Sequence, residues 1–161
     1  MTEQSHAIEI SHPPNVLLRI VNPVLKVLLH TPFAGAARHQ LMVVDFTGRK
    51  SGRHYSIPVS AHLIDGVLYA LTGATWKNNF RGGATATVLH DGKTTKMHGE
   101  LIADKAHVVD LYLRCVEGYG VKRAERAMGI GFRNHQMPTR DDFAEAVDRL
   151  HLTAIRFTPA G

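Results

Sequence analysis

Cysteine is nearly absent from this chain of 161 residues, which has Cys115 and no other. One thiol excludes an intrachain disulfide framework and a zinc site built from several thiolates, and it suits a reducing compartment, so a cytoplasmic setting is expected. Tyr112, Leu113 and Val116 around it read as helix, without the basic or helix-start surroundings that lower a thiol pKa, so Cys115 is expected to be a buried structural thiol. Long apolar runs are missing as well. The most apolar stretch, Val16 to Leu29, is interrupted by Arg19, Asn22, Pro23 and Lys26, which excludes a transmembrane helix there. Residues 1–13 contain Glu3 and Glu9 and lack the cationic start and apolar core of a secretory signal; they read as a polar tail ahead of a single domain over 14–161. Eleven histidines are present, yet none forms HxH, HxxxH or HExxH, so no metal site is expected. A GxSxG elbow is also lacking, which leaves hydrolysis by a serine nucleophile without support. There is no internal repeat and no low-complexity linker.

What is present is a globular composition: 44% hydrophobic residues, 20% charged, and a formal net charge of +5. The charge favours an anionic partner. Nucleic acid is not the expected one, because no dense basic stripe with interleaved aromatics occurs. An anionic small molecule or a membrane surface fits better. Asn15, Arg19, Asn22, Lys26 and His30 form one narrow polar stripe at helical spacing, with Pro23 breaking the helix. Two roles suit the wide apolar face of residues 14–30: covering a sheet, or peripheral membrane contact with Arg19 and Lys26 at the headgroups.

From Leu41 the period changes to that of strands. Leu41–Phe46 and Tyr55–Leu63 flank a polar loop, and Val67–Thr72, Ala84–His90 and Lys93–Ile102 follow, with Asp65-Gly66 and Asp91-Gly92 as tight hairpin turns. Adjacent strands are therefore antiparallel. Between the hairpins, Trp76–Arg81 reads as one short helical turn. Asp104 is placed to cap a helix ending near Gly118, Val121–Met128 reads as a second short helix, and Thr139 with Asp142 forms a capping box for a helix through Leu150. Leu152–Phe157 reads as a last strand. The expected fold is α+β: a mostly antiparallel sheet of about six strands closed into a split β-barrel, with an N-terminal amphipathic helix and C-terminal helices.

Two polar clusters carry the chemistry. Thr47, Gly48, Arg49, Lys50, Ser51, Gly52 and Arg53 put two glycines, three cations and two hydroxyls between two strands. Glycine frees backbone N–H groups to turn toward oxygens, while Arg forks and the Lys point charge suit phosphate or carboxylate. It lacks P-loop spacing, and a solvated hairpin loop reads equally well. The second cluster runs from Thr75 to Gly83 and combines Trp76, the only tryptophan, with Asn78, Asn79, Lys77 and Arg81. It offers a planar ligand an apolar face and fixed amides, or else Trp76 and Phe80 plug a barrel end. Tyr112 and Tyr119 lie seven apart on one helix, either as core residues or as hydroxyls lining a pocket.

At these clusters the sequence resembles the deazaflavin (F420)-dependent nitroreductase family of split β-barrel flavin and deazaflavin oxidoreductases of actinobacteria. The resemblance covers residues 14 to 102: the N-terminal helix, the strand into Thr47–Gly52, Pro58, the Asp65-Gly66 hairpin, Trp76 with Asn79-Phe80, and the strand after Gly83. It implies coenzyme F420, with FMN as the alternative, and hydride transfer to an electrophile such as a quinone or nitroaromatic. It further implies that Arg49, Lys50, Ser51 and Arg53 hold the phosphate and glutamate tail, and that Pro58, Thr72, Trp76 and Asn79 lie near the ring or inner tail. Tyr112 and Tyr119 are candidates for the substrate-side tyrosines. The family's Ser-Lys pair after the third strand is here Thr72-Gly73. That loss, with the apolar N-terminal helix, keeps a non-catalytic binder of a fatty acid, haem or FMN as the alternative. The protein is expected to be a monomer or a homodimer.

Overall fold

The computed structural model describes residues 6–10 and 37–160. The amphipathic segment at 14–30, and with it the membrane-contact reading, lies outside the described residues. β1 (Ile8–Ile10) is followed by a helical turn, α1 (Ala37–Gln40), and by the strands β2 (Leu41–Thr47), β3 (His54–Ser60), β4 (His62–Ile64) and β5 (Val67–Thr72). A 3-10 turn at Thr75–Phe80 leads to β6 (Ala84–His90) and β7 (Lys93–Ile102). The remainder is α2 (Lys105–Tyr119), α3 (Val121–Met128), β8 (Ile130–Phe132), α4 (Arg140–Leu150) and β9 (Thr153–Pro159).

Seven strands form one antiparallel sheet in the order β3-β2-β6-β7-β9-β5-β4. Its two edge strands are consecutive in the chain and separated by Ala61 alone. One extended segment thus pairs with β2 by its first half and with β5 by its second, so the chain itself bridges the sheet's two edges and curls it into a split barrel. At the bend, the Ala61 amide donates to Gln40 O at 2.8 Å. The expected strand Tyr55–Leu63 is therefore two strands, and the expected α+β split barrel is the architecture.

Strand alternation separates two cores. Met42, Val44, Phe46, Ile57, Ala70, Val88, Ile155 and Phe157 fill the barrel around Phe80, whose ring is fully buried. On the other face, α2, α4 and the β1–β8 ribbon cover β5 and β9 through Val108, Tyr112, Phe143 and Ala154. Both helix starts follow the chain's capping residues: Asp104 Oδ2 accepts from the His107 amide at 3.0 Å, and Thr139 and Asp142 exchange the two bonds of the capping box at 3.1 and 2.8 Å. α2 continues past Gly118 to Tyr119 and stops at Gly120, whose φ of 81° an L side chain rarely adopts.

The tail reading of residues 1–13 is corrected in part. Ile8–Ile10 pairs with Ile130–Phe132, Ile8 is fully buried, and Arg149 Nη2 donates to Ile8 O at 2.6 Å. Three residues alternating with polar neighbours satisfy a strand only when a distant partner supplies the ladder. No helix among the described residues is long and apolar enough to cross a membrane.

Candidate functional site

The loop between β2 and β3 is closed by its own backbone: the Gly48 amide donates to Arg53 O at 2.7 Å and the Gly52 amide to Gly48 O at 2.9 Å. Gly48 lets two side chains close over it: a Cβ there would lie 2.6 Å from Ser51 Oγ and 2.7 Å from Tyr55 Cε2, and both would have to shift. Gly52 has φ +70°, where glycine is favoured. Ser51 Oγ accepts from the Arg53 amide at 3.2 Å and meets Tyr55 Oη at 3.3 Å. The hydroxyl is thereby part of the loop's own scaffold.

The structure brings the two polar clusters together. The Arg49 amide donates to Asn79 Oδ1 at 2.8 Å, and its guanidinium donates to Arg81 O at 2.7 Å and to Gly83 O at 3.4 Å. Asn79 Nδ2 in turn donates to Trp76 O at 2.9 Å. Arg49 and Asn79, read from the residue types as ligand contacts, are spent on bracing one loop against the other. Lys50 and Arg53, both exposed, have no side-chain partner among the described residues, so their cationic heads are not committed to bracing the loops as that of Arg49 is.

Trp76 is half-buried at the barrel mouth. Its ring stacks on Phe46 at 5.9 Å, and Phe46 stacks on Tyr55 at 5.5 Å, so three aromatic planes lie in a row. Phe80 meets Phe46, Trp76 and Phe157 edge-on. The two readings of the Trp segment divide between its residues: Phe80 plugs the barrel, while Trp76 keeps part of its surface in solvent.

Pro58 and Thr47 are not gathered here. Tyr55, Ile57 and Val59 face the barrel interior, so Pro58, paired with Val43 on an edge strand, points to the outer face. Thr47 pairs with His54 and shares that outer face. Thr72 Oγ1 accepts from the Ala74 amide at 3.0 Å, and Thr72 O accepts from Thr153 Oγ1 at 2.7 Å, fixing the exit of β5.

The glycine after Thr72 has a physical cause. A Cβ on Gly73 would lie 2.5 Å from Leu150 O, a backbone atom at the end of α4. Any side chain there must push the helix end away. Gly73→Ala is expected to cost about 1–3 kcal/mol of stability by overpacking, measured by urea unfolding; an unchanged unfolding midpoint would show that the α4 end yields freely. Lys77 closes the same corner. It is buried, its Nζ donates to His151 O at 2.6 Å, and burial together with the neighbouring Arg81 charge holds its pKa below the ordinary lysine value.

The two candidate tyrosines separate. Tyr112 is buried in the helical core and donates to Thr153 O at 3.1 Å; burial pushes its pKa far above the usual phenol range. That position corrects its reading as a pocket hydroxyl. Tyr119, half-buried at the end of α2, meets His62 Nδ1 at 2.8 Å, far along the chain from the cationic loop. Cys115 is buried, with its pKa raised to about 12 by that burial, as expected of a structural thiol. Among the described residues, no group of three or more His, Cys, Asp or Glu is placed to hold a metal ion.

Sequence reasoning missed Tyr55 and the carbonyls of Arg81 and Gly83. Tyr55 had a signal: pairing Thr47 with His54 across the loop puts Tyr55 opposite Phe46. The carbonyls had none, since every residue carries one.

No family model matches the chain, and no curated protein matches it. Among solved structures, one described as a domain-swapped dimer is 13% identical, covering 84% of this chain and 94% of that one with a TM-score of 0.48. A conserved hypothetical protein from Mycobacterium tuberculosis is also 13% identical, covering 93% and 87% respectively with a TM-score of 0.45.

Proposed function

We propose that this chain binds the deazaflavin coenzyme F420 at the paired loops and serves as a reductase of electron-poor small molecules such as quinones or nitroaromatics. One observation carries the reading: Arg49 ties the cationic loop to the Trp76–Asn79 segment, so a half-buried indole and two cations with no side-chain partner among the described residues belong to one braced unit. A ligand with an anionic tail and a planar ring is the complement of that unit. Lys50 and Arg53 would hold the phosphate and glutamate tail, through charge-assisted hydrogen bonds that need no cation already paired elsewhere. Trp76 would offer apolar surface to the ring, and Asn79 and Arg49 would act indirectly by holding the loops in register. FMN, with a phosphate and a similar ring system, fits the same complement with fewer charges.

The coenzyme itself supplies the hydride, so the protein's work is binding, orientation and exclusion of water. A sequence without a local nucleophile motif is in keeping with that division of work. The missing lysine after Thr72 removes one charge from the tail's surroundings, and Gly73 explains why none can stand there.

Fluorescence titration of the full chain with oxidised F420 tests the proposal. Saturable binding in the micromolar to tens-of-micromolar range is expected, and Lys50→Ala and Arg53→Ala are each expected to weaken it by roughly 1–3 kcal/mol through removal of a charge-assisted hydrogen bond. Absence of saturable binding, or an affinity indifferent to both substitutions, would sink the site. Consumption of the reduced coenzyme in the presence of menadione separates a reductase from a passive carrier. Binding without consumption would leave the non-catalytic reading in its place.

A further inference from the structure

At the far end of the barrel from the cationic loop, the described residues leave a groove of about 580 Å3 between the β4–β5 hairpin and the end of α2. Its lining includes Leu63, Ile64, Cys115, Tyr119, Arg114 and Arg123. The full run of β3 and β4 separates it from Thr47–Arg53, so it is a second place on the molecule, independent of the function proposed above. Leu63 is 64% exposed on an edge strand, an apolar side chain with nothing over it among the described residues. Arg114 Nη1 meets Asp65 Oδ2 at 2.6 Å, which ties α2 to the hairpin and fixes one wall. Arg123 lies over the Tyr119 ring, 5.5 Å from its centroid, without a carboxylate partner among the described residues.

The buried neighbour of Tyr119 decides what its hydroxyl offers. His62 is 1% exposed, and its Nδ1 lies 2.8 Å from Tyr119 Oη. Its other ring nitrogen, Nε2, has no partner among the described residues. Burial keeps the ring neutral, so one nitrogen carries hydrogen and the other a lone pair. The tautomer with its hydrogen on Nδ1 and its lone pair on Nε2 is the one that leaves no N–H of this ring without an acceptor among the described residues. Nδ1–H then donates to Tyr119, whose own hydrogen is left free to serve as a donor.

We infer that this groove binds a small amphipathic monoanion, an aromatic carboxylate or sulfonate, with its anionic oxygen between Tyr119 Oη and the Arg123 guanidinium and its apolar body along Leu63 and Ile64. Glu117, which also lines the groove, opposes a second negative charge and restricts the ligand to one. His62 is a positioning residue: it sets the direction of the tyrosine hydrogen and touches no ligand.

Isothermal titration of the full chain with 2-naphthoate tests the inference, with 2-naphthylmethanol as the uncharged comparison. One saturable site at millimolar or lower ligand is expected, weakened roughly tenfold or more in the alcohol, in Tyr119→Phe and in Arg123→Gln, as each change removes a charge-assisted hydrogen bond. Lys50→Ala with Arg53→Ala is expected to leave the affinity unchanged, which separates this groove from the coenzyme site whether or not that site binds. The two test variants keep ring volume at 119 and alter an exposed residue at 123, so both are expected to fold; unfolding curves verify that. No saturable heat, or equal affinity for acid and alcohol, or binding that survives both variants, would overturn the inference.

Discussion

Phe80→Ala is expected to lower the unfolding free energy by about 3–5 kcal/mol, in the range of buried aromatic truncations. Phe80 is fully buried and meets Phe46, Trp76 and Phe157 at ring separations of 5.2, 6.0 and 5.7 Å. The cavity has little means of collapse. Gly99 sits so close that a Cβ on it would lie 2.6 Å from Phe80 Cδ1, meaning the β7 backbone is already against the ring. The strands around it are held by their ladders and can relax only partly. The substitution also reaches the candidate site, because Phe80 follows Asn79, whose Oδ1 holds the Arg49 amide. Urea unfolding measures the stability term. Trp76, the only tryptophan, reports the second by a red-shifted emission as its packing loosens. A stability loss under about 1 kcal/mol would place Phe80 among ordinary surface changes and refute its role as the barrel's plug.

Period-two alternation, the turns at Asp65-Gly66 and Asp91-Gly92, and the caps at Asp104 and Thr139 are local signals, and each corresponds to an element in the structure. Two features are non-local and were not legible. β1 is three residues long and its partner β8 begins at Ile130, so no window of sequence contains the information that specifies it. The break at Ala61 exists because one extended segment must leave β2 and reach β5, a demand of closure and not of composition.

The candidate site was legible as chemistry but not as allocation. A guanidinium serves a carbonyl as well as a phosphate, so residue type alone gave Arg49 the same standing as Arg53; only the fold reveals that one is spent on Arg81 and Gly83 while the other has no side-chain partner among the described residues. Pro58 is different, since strand parity with Tyr55, Ile57 and Val59 already puts it on the outer face. Tyr112 and Tyr119 share a helix face by spacing, yet one lies mid-helix under α4 and the other at the open end. Depth along the helix axis, which spacing does not encode, separates a core hydroxyl from an accessible one.

His62 makes stability depend on pH between about 4 and 6.5. Burial lowers its pKa from 6.5 to about 4, and no carboxylate among the described residues is paired with it to offset that. In the unfolded chain the ring takes up a proton as pH falls through 6.5, while in the fold it stays neutral until about 4. The unfolded state therefore binds more protons across this window, so stability is full above 6.5 and declines as the pH is lowered. From this group alone, stability at about pH 5 is expected to lie about 2 kcal/mol below its value at about pH 7.5, with the whole loss near 3 kcal/mol once pH reaches about 4. Carboxylates with lowered pKa, such as Glu125 held by the Phe132 amide and His135, begin to add their own loss as pH falls through the ordinary carboxylate value of 4.5, so the slope above about pH 5 is the histidine's. The histidine window is thus separable. Urea unfolding at a series of pH values measures it, and His62→Gln, which cannot titrate, is expected to flatten the slope between about pH 5 and 7 while lowering stability at neutral pH by disturbing the hydrogen bond to Tyr119. A variant that retains the wild-type slope would assign the pH dependence to other groups, and with it would remove the buried neutral imidazole on which the orientation of the Tyr119 hydroxyl rests.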